Sequence, residues 1–200
     1  MNNNTGNSRN SENSENSENS ENNNKQNFTP RKPSRHFARE LMIQSLYQWK
    51  IAHDNGENIV LNFEQIKQDL HTIPTYKNAS LEFLQEICNS IFINVEELLT
   101  IIENVLDRTF KELSPVEGSV ILLSAYELKF CPQTPTLVII NEAIELVKKF
   151  GSSEGYKYVN VIVELLAKEI RKDENIISSK HHVRSKNKKN KHKHKQQNNE

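Results

Sequence analysis

The sequence has little of what marks most catalytic and membrane classes. Its five glycines, Gly6, Gly56, Gly118, Gly151 and Gly155, are too scattered to build a phosphate-cradling loop. Its two cysteines, Cys88 and Cys131, match no metal or redox spacing and read as reduced thiols. No apolar run approaches the roughly 18 residues that cross a bilayer, so no membrane role is expected. The N-terminus lacks the apolar stretch of a secretory signal, and four glutamates argue against a transit peptide. A cytoplasmic protein is expected. No H-E-x-x-H, G-x-S-x-G or C-x-x-C pattern occurs, which leaves an enzyme little to stand on. His192 and His194 sit among lysines that would repel a metal ion, so neither a cofactor nor a metal is expected.

Net charge is also absent: 26 basic side chains balance 26 acidic ones. The balance hides a segregation. Residues 31–36 carry Arg31, Lys32 and Arg35 and no carboxylate. Residues 37–179 carry 13 basic and 21 acidic side chains, an excess of eight negative charges. Residues 180–200 carry eight basic and one acidic. An acidic body thus stands between a basic entrance and a basic tail. Such a body discourages indiscriminate RNA binding and keeps cationic contacts local.

Apolar residues are nearly confined to the middle of the chain. Residues 1–33 form an Asn/Ser/Glu-rich extension with a repeated Ser-Glu-Asn unit, expected to be disordered. Residues 178–200 form a Lys/His-rich tail, also expected to be disordered. Flexible lysines there would contact phosphates of any sequence, or merely solubilise the protein. Residues 34–177 suffice for one globular domain.

Within that domain the apolar spacing is helical throughout. Ser34 caps a first helix whose core stripe is Ala38, Leu41, Met42, Ser45, Leu46 and Trp49, ended by Asp54-Asn55-Gly56. Val60, Phe63, Ile66 and Leu70 mark a second, and Leu81, Leu84, Cys88, Ile91 and Phe92 a third. Asn94 and Glu97 have capping-box spacing before a fourth. Ser114-Pro115-Val116-Glu117 is a stronger start signal for a fifth, apolar nearly all round and therefore central. Thr134 can cap a sixth with Pro135 at its first position and Gly151 at its end; Ser152 or Ser153 can cap a seventh. The expected fold is all-α, a compact bundle of about seven helices.

The first helix carries a second row, Arg35, Arg39, Ile43 and Tyr47, at i+4 spacing and expected to be exposed. With Arg31, Lys32 and His36 nearby, this suits an RNA backbone with an unstacked base. Its alternative is a solvated helix end. Cations at a helix N-terminus oppose the macrodipole, which suggests that they serve something other than helix stability.

Arg35-His36-Phe37-Ala38-Arg39-Glu40, with Gln44, Leu46-Tyr47 and Trp49, resembles the opening helix of the NusB transcription antitermination factors. Ser114 to Glu117 and Ala125 to Leu128 resemble their central helix. Ile140-Asn141-Glu142-Ala143-Ile144-Glu145 through Gly151, followed by Lys157-Tyr158-Val159-Asn160, is similar to their most recognisable motif. The resemblance spans residues 34–171 in order. It implies a non-catalytic factor that binds boxA-type RNA of nascent ribosomal RNA leaders. That binding is shared with the small-subunit ribosomal protein NusE. With other Nus factors, the complex helps RNA polymerase resist Rho-dependent termination.

Carried over by position, the resemblance assigns Arg35, His36, Arg39, Glu154, Lys157 and Tyr158 to the RNA side. Tyr47 and Glu117 go to the ribosomal-protein partner. Physically, Tyr158 can stack on a base and Lys157 can meet a phosphate, while Glu154 also suits the first turn of a helix. Asn141 and Glu142 are expected to be structural, bonding to neighbouring loop backbone. His36 and Phe37 stand where the family usually has arginines, and Val161 where a glycine commonly follows Asn160. An interaction module without RNA binding is the nearest alternative. A relic of an rRNA cytosine methyltransferase N-terminal domain is a remoter one, since no cofactor domain follows.

Overall fold

The structure is a computed structural model that describes residues 33–59 and 62–172. Of the two terminal segments expected to be disordered, residues 1–32, which include Arg31 and Lys32, and residues 178–200 lie outside the described residues, as does the second-helix marker Val60. Seven α-helices follow one another: α1 (Arg35–Asp54), α2 (Phe63–Leu70), α3 (Leu81–Ile91), α4 (Val95–Glu103), α5 (Pro115–Phe130), α6 (Thr136–Phe150) and α7 (Gly155–Ile170). Two short 3-10 turns, Pro74–Asn78 and Phe110–Glu112, join them.

Helix α5 is the axis. Every residue from Gly118 to Leu128 is buried, and α1, α4, α6 and α7 pack around it. Its start is the expected capping box: Ser114 Oγ accepts from Glu117 N at 3.3 Å, and Glu117 Oε2 accepts from Ser114 Oγ at 2.8 Å. The apolar composition that marks it as central does so because no face of it meets water.

The entrance of α1 is fixed by two local devices. Ser34 Oγ accepts from Phe37 N at 3.4 Å. Ser34 N also donates to Asn78 O at 2.8 Å, and Ser80 N to Ser34 O at 3.0 Å, a short parallel bridge. The bridge ties the start of α1 to the start of α3, where the guanidinium groups of Arg35 and Arg39 lie 4.8 and 5.2 Å from the Phe83 ring centre.

Some helix ends differ from expectation. Asn94 precedes α4 without capping it by its side chain; its Nδ2 donates back to Ser90 O at 2.7 Å. Helix α6 begins after Pro135 rather than at it, and Thr134 Oγ1 has no hydrogen-bond partner. Gly151 closes α6 with extended backbone, φ −102°, not with a left-handed residue. Ser152 does serve α7, accepting from Gly155 N at 3.0 Å.

Both thiols are sealed in the core. Cys88 lies 3.6 Å from Met42 Sδ, and Cys131 is fully buried. Burial pushes each up to about 12. The thiolate, which is the nucleophile, is then scarce at pH 8. Neither cysteine should react with a thiol reagent at pH 8 until the domain is unfolded. Following colour release by a disulfide reagent with and without denaturant checks this.

Candidate nucleic-acid interface

The first group of predicted residues gathers where α1 meets α3, α5 and α6. Arg35, the first residue of α1, is exposed, with its guanidinium 4.8 Å from the Phe83 ring centre. His36 lies between two carboxylates. Its Nδ1 is 2.7 Å from Glu142 Oε2 and its Nε2 is 3.0 Å from Glu40 Oε1. Glu40 is buried and also pairs with Lys149 of α6.

Arg39 is a correction. The expected row of exposed side chains along α1 is interrupted, because Arg39 and Ile43 are each only 2% exposed. The Arg39 fork is bidentate on Glu127 of α5, Nε to Oε1 and Nη2 to Oε2, both at 2.7 Å. A third atom, Nη1, lies 3.7 Å from Glu142 Oε1. Burial opposes the charge on Arg39, but the hydrogen bond and the field of Glu127 outweigh it and raise its pKa. Glu142 is a second correction. It pairs with the side chains of His36 and Arg39, not with loop backbone.

The second group sits at the start of α7. Lys157 and Glu154 are exposed and form an ion pair one turn apart. The Tyr158 hydroxyl donates to Asp107 Oδ1 at 2.9 Å. Asp107 belongs to the loop between α4 and α5, and so does Arg108, whose guanidinium lies 4.7 Å from the Tyr158 ring centre. The hydrogen bonds from Arg108 and then Tyr158 hold the Asp107 carboxyl down at about 2. Burial, then the bond to Asp107, pushes the Tyr158 phenol up to about 12. The support from ionised Asp107 is therefore present above the ordinary carboxylate range and lost only as pH falls toward 2. The support from the neutral phenol is lost only as pH rises from about 10 toward 12.

Among the described residues, no hydrogen bond or ion pair joins the first group to the second. Asp107 and Arg108 were missed by sequence reasoning. They stand in a loop without periodicity, and only an arginine beside a carboxylate could have drawn notice.

The two partner-side residues fall near one another. Tyr47 is 40% exposed and helps line a mostly apolar groove with Ile43, Gln44, Gln48, Val116 and Phe150. Glu117 follows Val116, with one carboxylate oxygen held by Ser114. Its other oxygen would stand 2.7 Å from a Cβ on Gly155. The same Cβ would stand 2.9 Å from Ser152 Oγ, so any larger residue there requires these side-chain ends to shift.

No described helix is long and apolar enough to cross a membrane. The described residues contain no cluster of three His, Cys, Asp or Glu that could hold a metal ion.

Known proteins resemble the chain over this same region. The pattern of the NusB family matches residues 36–168. The transcription antitermination protein NusB of Nitrosomonas eutropha is 36% identical over 140 residues, 70% of this chain and 80% of that protein. Its counterpart in Burkholderia vietnamiensis is 39% identical over 142 residues, 70% of this chain and 92% of that one. Among solved structures, T. maritima NusB superposes with a TM-score of 0.57 at 28% identity, covering 69% of this chain and 93% of that one. A structure described as the antitermination factors NusB and NusE in complex with dsRNA superposes with a TM-score of 0.55 at 25% identity, covering 68% and 96%.

Proposed function

The chain belongs to the NusB family, and from that premise we propose that it is a transcription antitermination factor. It binds boxA-type RNA of nascent ribosomal RNA leaders together with a NusE-type ribosomal protein. In the cytoplasm, with other Nus factors, that complex helps RNA polymerase resist premature Rho-dependent termination. Its contribution is assembly, without covalent chemistry.

The observation that carries the reading is the similarity to antitermination proteins, which runs through α1 to α7. Physical chemistry supports the division of labour. Arg35 and Lys157 are exposed cations on an otherwise acidic body, and each stands in the first turn of a helix. His36 adds a full charge only when protonated, and two carboxylates already compete for it. The cationic surface is therefore small. RNA binding by the protein alone is weak, and the partner supplies the rest. Tyr47 and the apolar groove beside Glu117 form the surface for that partner.

Titrating a labelled boxA-like RNA, with and without the NusE-type partner at two salt concentrations, tests this. Tight, sequence-selective binding is expected only with the partner. Partner binding without RNA preference would leave an interaction module instead. Arg35→Ala should reduce the slope of log K against log salt by about 0.7, one lost phosphate contact on single-stranded RNA. An unchanged slope would make Arg35 a solvated bystander. Arg39, with Nε and Nη2 on Glu127, serves RNA binding by holding α1 in place rather than by meeting a phosphate.

A further inference from the structure

The loop between α4 and α5 places a flat, exposed cation beside the start of α7, and its wiring indicates what it is for. Arg108 Nε donates to Asp107 Oδ1 at 3.0 Å and Nη2 to Asp107 Oδ2 at 3.2 Å. The same carboxylate accepts the Tyr158 hydroxyl at 2.9 Å. The guanidinium is thus held by its edge, with its central carbon 4.7 Å from the Tyr158 ring centre. The loop is itself braced: Thr109 N and Thr109 Oγ1 both donate to Glu112 Oε2, at 2.7 and 2.8 Å.

Two consequences follow from this wiring. Asp107 neutralises the charge and occupies much of the donor edge, so the group is poorly suited to a phosphate. What is left is the plane. Its central carbon lies 4.7 Å from the centre of the Tyr158 ring, and the side chain is still 47% exposed. Tyr158 is half-buried, so in this column the guanidinium is the more accessible planar surface.

We propose that Arg108 is a base-stacking residue of the RNA surface, sandwiched between the Tyr158 ring and an unstacked RNA base. The assignment rests on the RNA-binding reading above and deepens it. Arginine planes and aromatic rings both accept unstacked bases, and stacking of this kind tolerates any base. The site therefore takes an unpaired nucleotide of the RNA without selecting its identity. Lys157, one residue before Tyr158 and 60% exposed, is the neighbouring cation for the phosphate of the same nucleotide.

The test compares full-length wild type, Arg108→Lys and Arg108→Ala, each with the NusE-type partner, for binding of a labelled boxA-like RNA. Arg108→Lys keeps the charge and removes the plane. Both variants are expected to bind about 5- to 160-fold more weakly, the range for one lost base stack. Their salt slopes should match that of wild type, because no phosphate contact is lost. Single abasic substitutions along the RNA should reveal one position at which wild type and Arg108→Lys bind alike. Circular dichroism melts check that each variant is folded.

If Arg108→Lys binds as wild type while Arg108→Ala is weakened, the contact is one of charge and the stack is overturned. Wild-type affinity in both variants overturns it too. A wild-type complex that binds no RNA overturns the antitermination reading together with the stack. RNA binding by wild type that is unaffected in either variant removes the stack alone.

Discussion

Replacing Glu127 by alanine is expected to destabilise the domain by about 3–5 kcal/mol, the cost of leaving a buried charge without its partner. Arg39 is 2% exposed and Glu127 1% exposed, and two hydrogen bonds of 2.7 Å join them. Removing the carboxylate strands a guanidinium whose remaining anion, Glu142, is 3.7 Å away. Arg39→Ala strands Glu127 in the same way. The double substitution Arg39→Met with Glu127→Leu removes both charges and keeps the volume, so it should cost far less than either single change to alanine. Urea unfolding of the four proteins measures the three differences. If the double variant is as unstable as the single ones, packing alone governs the site. The same set bears on function. Arg39→Ala should weaken RNA binding through the disturbed start of α1, with a salt slope equal to that of wild type. Arg35→Ala should lower the slope with little change in stability. A lowered slope for Arg39→Ala would place its guanidinium on a phosphate after all.

How much of this was legible in the sequence follows from the range of the forces involved. Helix number and order were legible because burial repeats every 3.6 residues within each helix. The central position of α5 was legible because it lacks a polar face. The capping box at Ser114 was legible because its partners are three residues apart, so local geometry decides it. The row Arg35, Arg39, Ile43, Tyr47 was misread for a definite reason. A step of four residues advances about 400°, so each member lies about 40° further round the helix than the last. Moreover, every residue from Ala38 to Ile43 is buried, because neighbours cover this stretch of α1 all round. A row argument from one helix does not see its neighbours. The partner of Arg39 lies 88 positions away, and those of His36 are Glu40 on its own helix and Glu142, 106 positions away. Of these, only the pair with Glu40 has a spacing that local patterning can find. Thr134 and Asn94 show the converse, cap-like residues whose side chains go elsewhere or go unused. Arg108 was invisible for a third reason: it sits in a loop, where no period exists to break.

Arg171→Ala should be at least as damaging as the loss of Glu127, at about 4 kcal/mol or more. The residue ends the last described helix and is buried. Its guanidinium donates to the carbonyls of Glu127, Leu128, Cys131 and Thr134, at 3.1, 2.8, 3.0 and 2.8 Å, and to Thr136 Oγ1 at 3.0 Å. The first two are among the last four carbonyls of α5; Glu127 O already accepts from Cys131 N at 3.1 Å, and Leu128 O takes Arg171 as its donor. A positive charge there also complements the negative end of the α5 dipole. That end is otherwise a poor place for a carboxylate, yet Glu127 occupies it. Arg171 holds its backbone and Arg39 holds its side chain. Two arginines from opposite ends of the domain thus fix one glutamate, and through it the start of α1. Alanine at 171 would leave the carbonyls of Leu128 and Thr134 without the donor they have here, while Glu127 O keeps Cys131 N and Cys131 O keeps Thr134 N. Arg171→Lys keeps the charge but has a single ammonium in place of the fork, so it should recover only part of the loss. Lys172→Ala, one residue on and exposed, should leave stability unchanged within error. Denaturant midpoints for the three variants decide the matter. A midpoint for Arg171→Ala close to that of Lys172→Ala would mean that the end of α5 is capped without it.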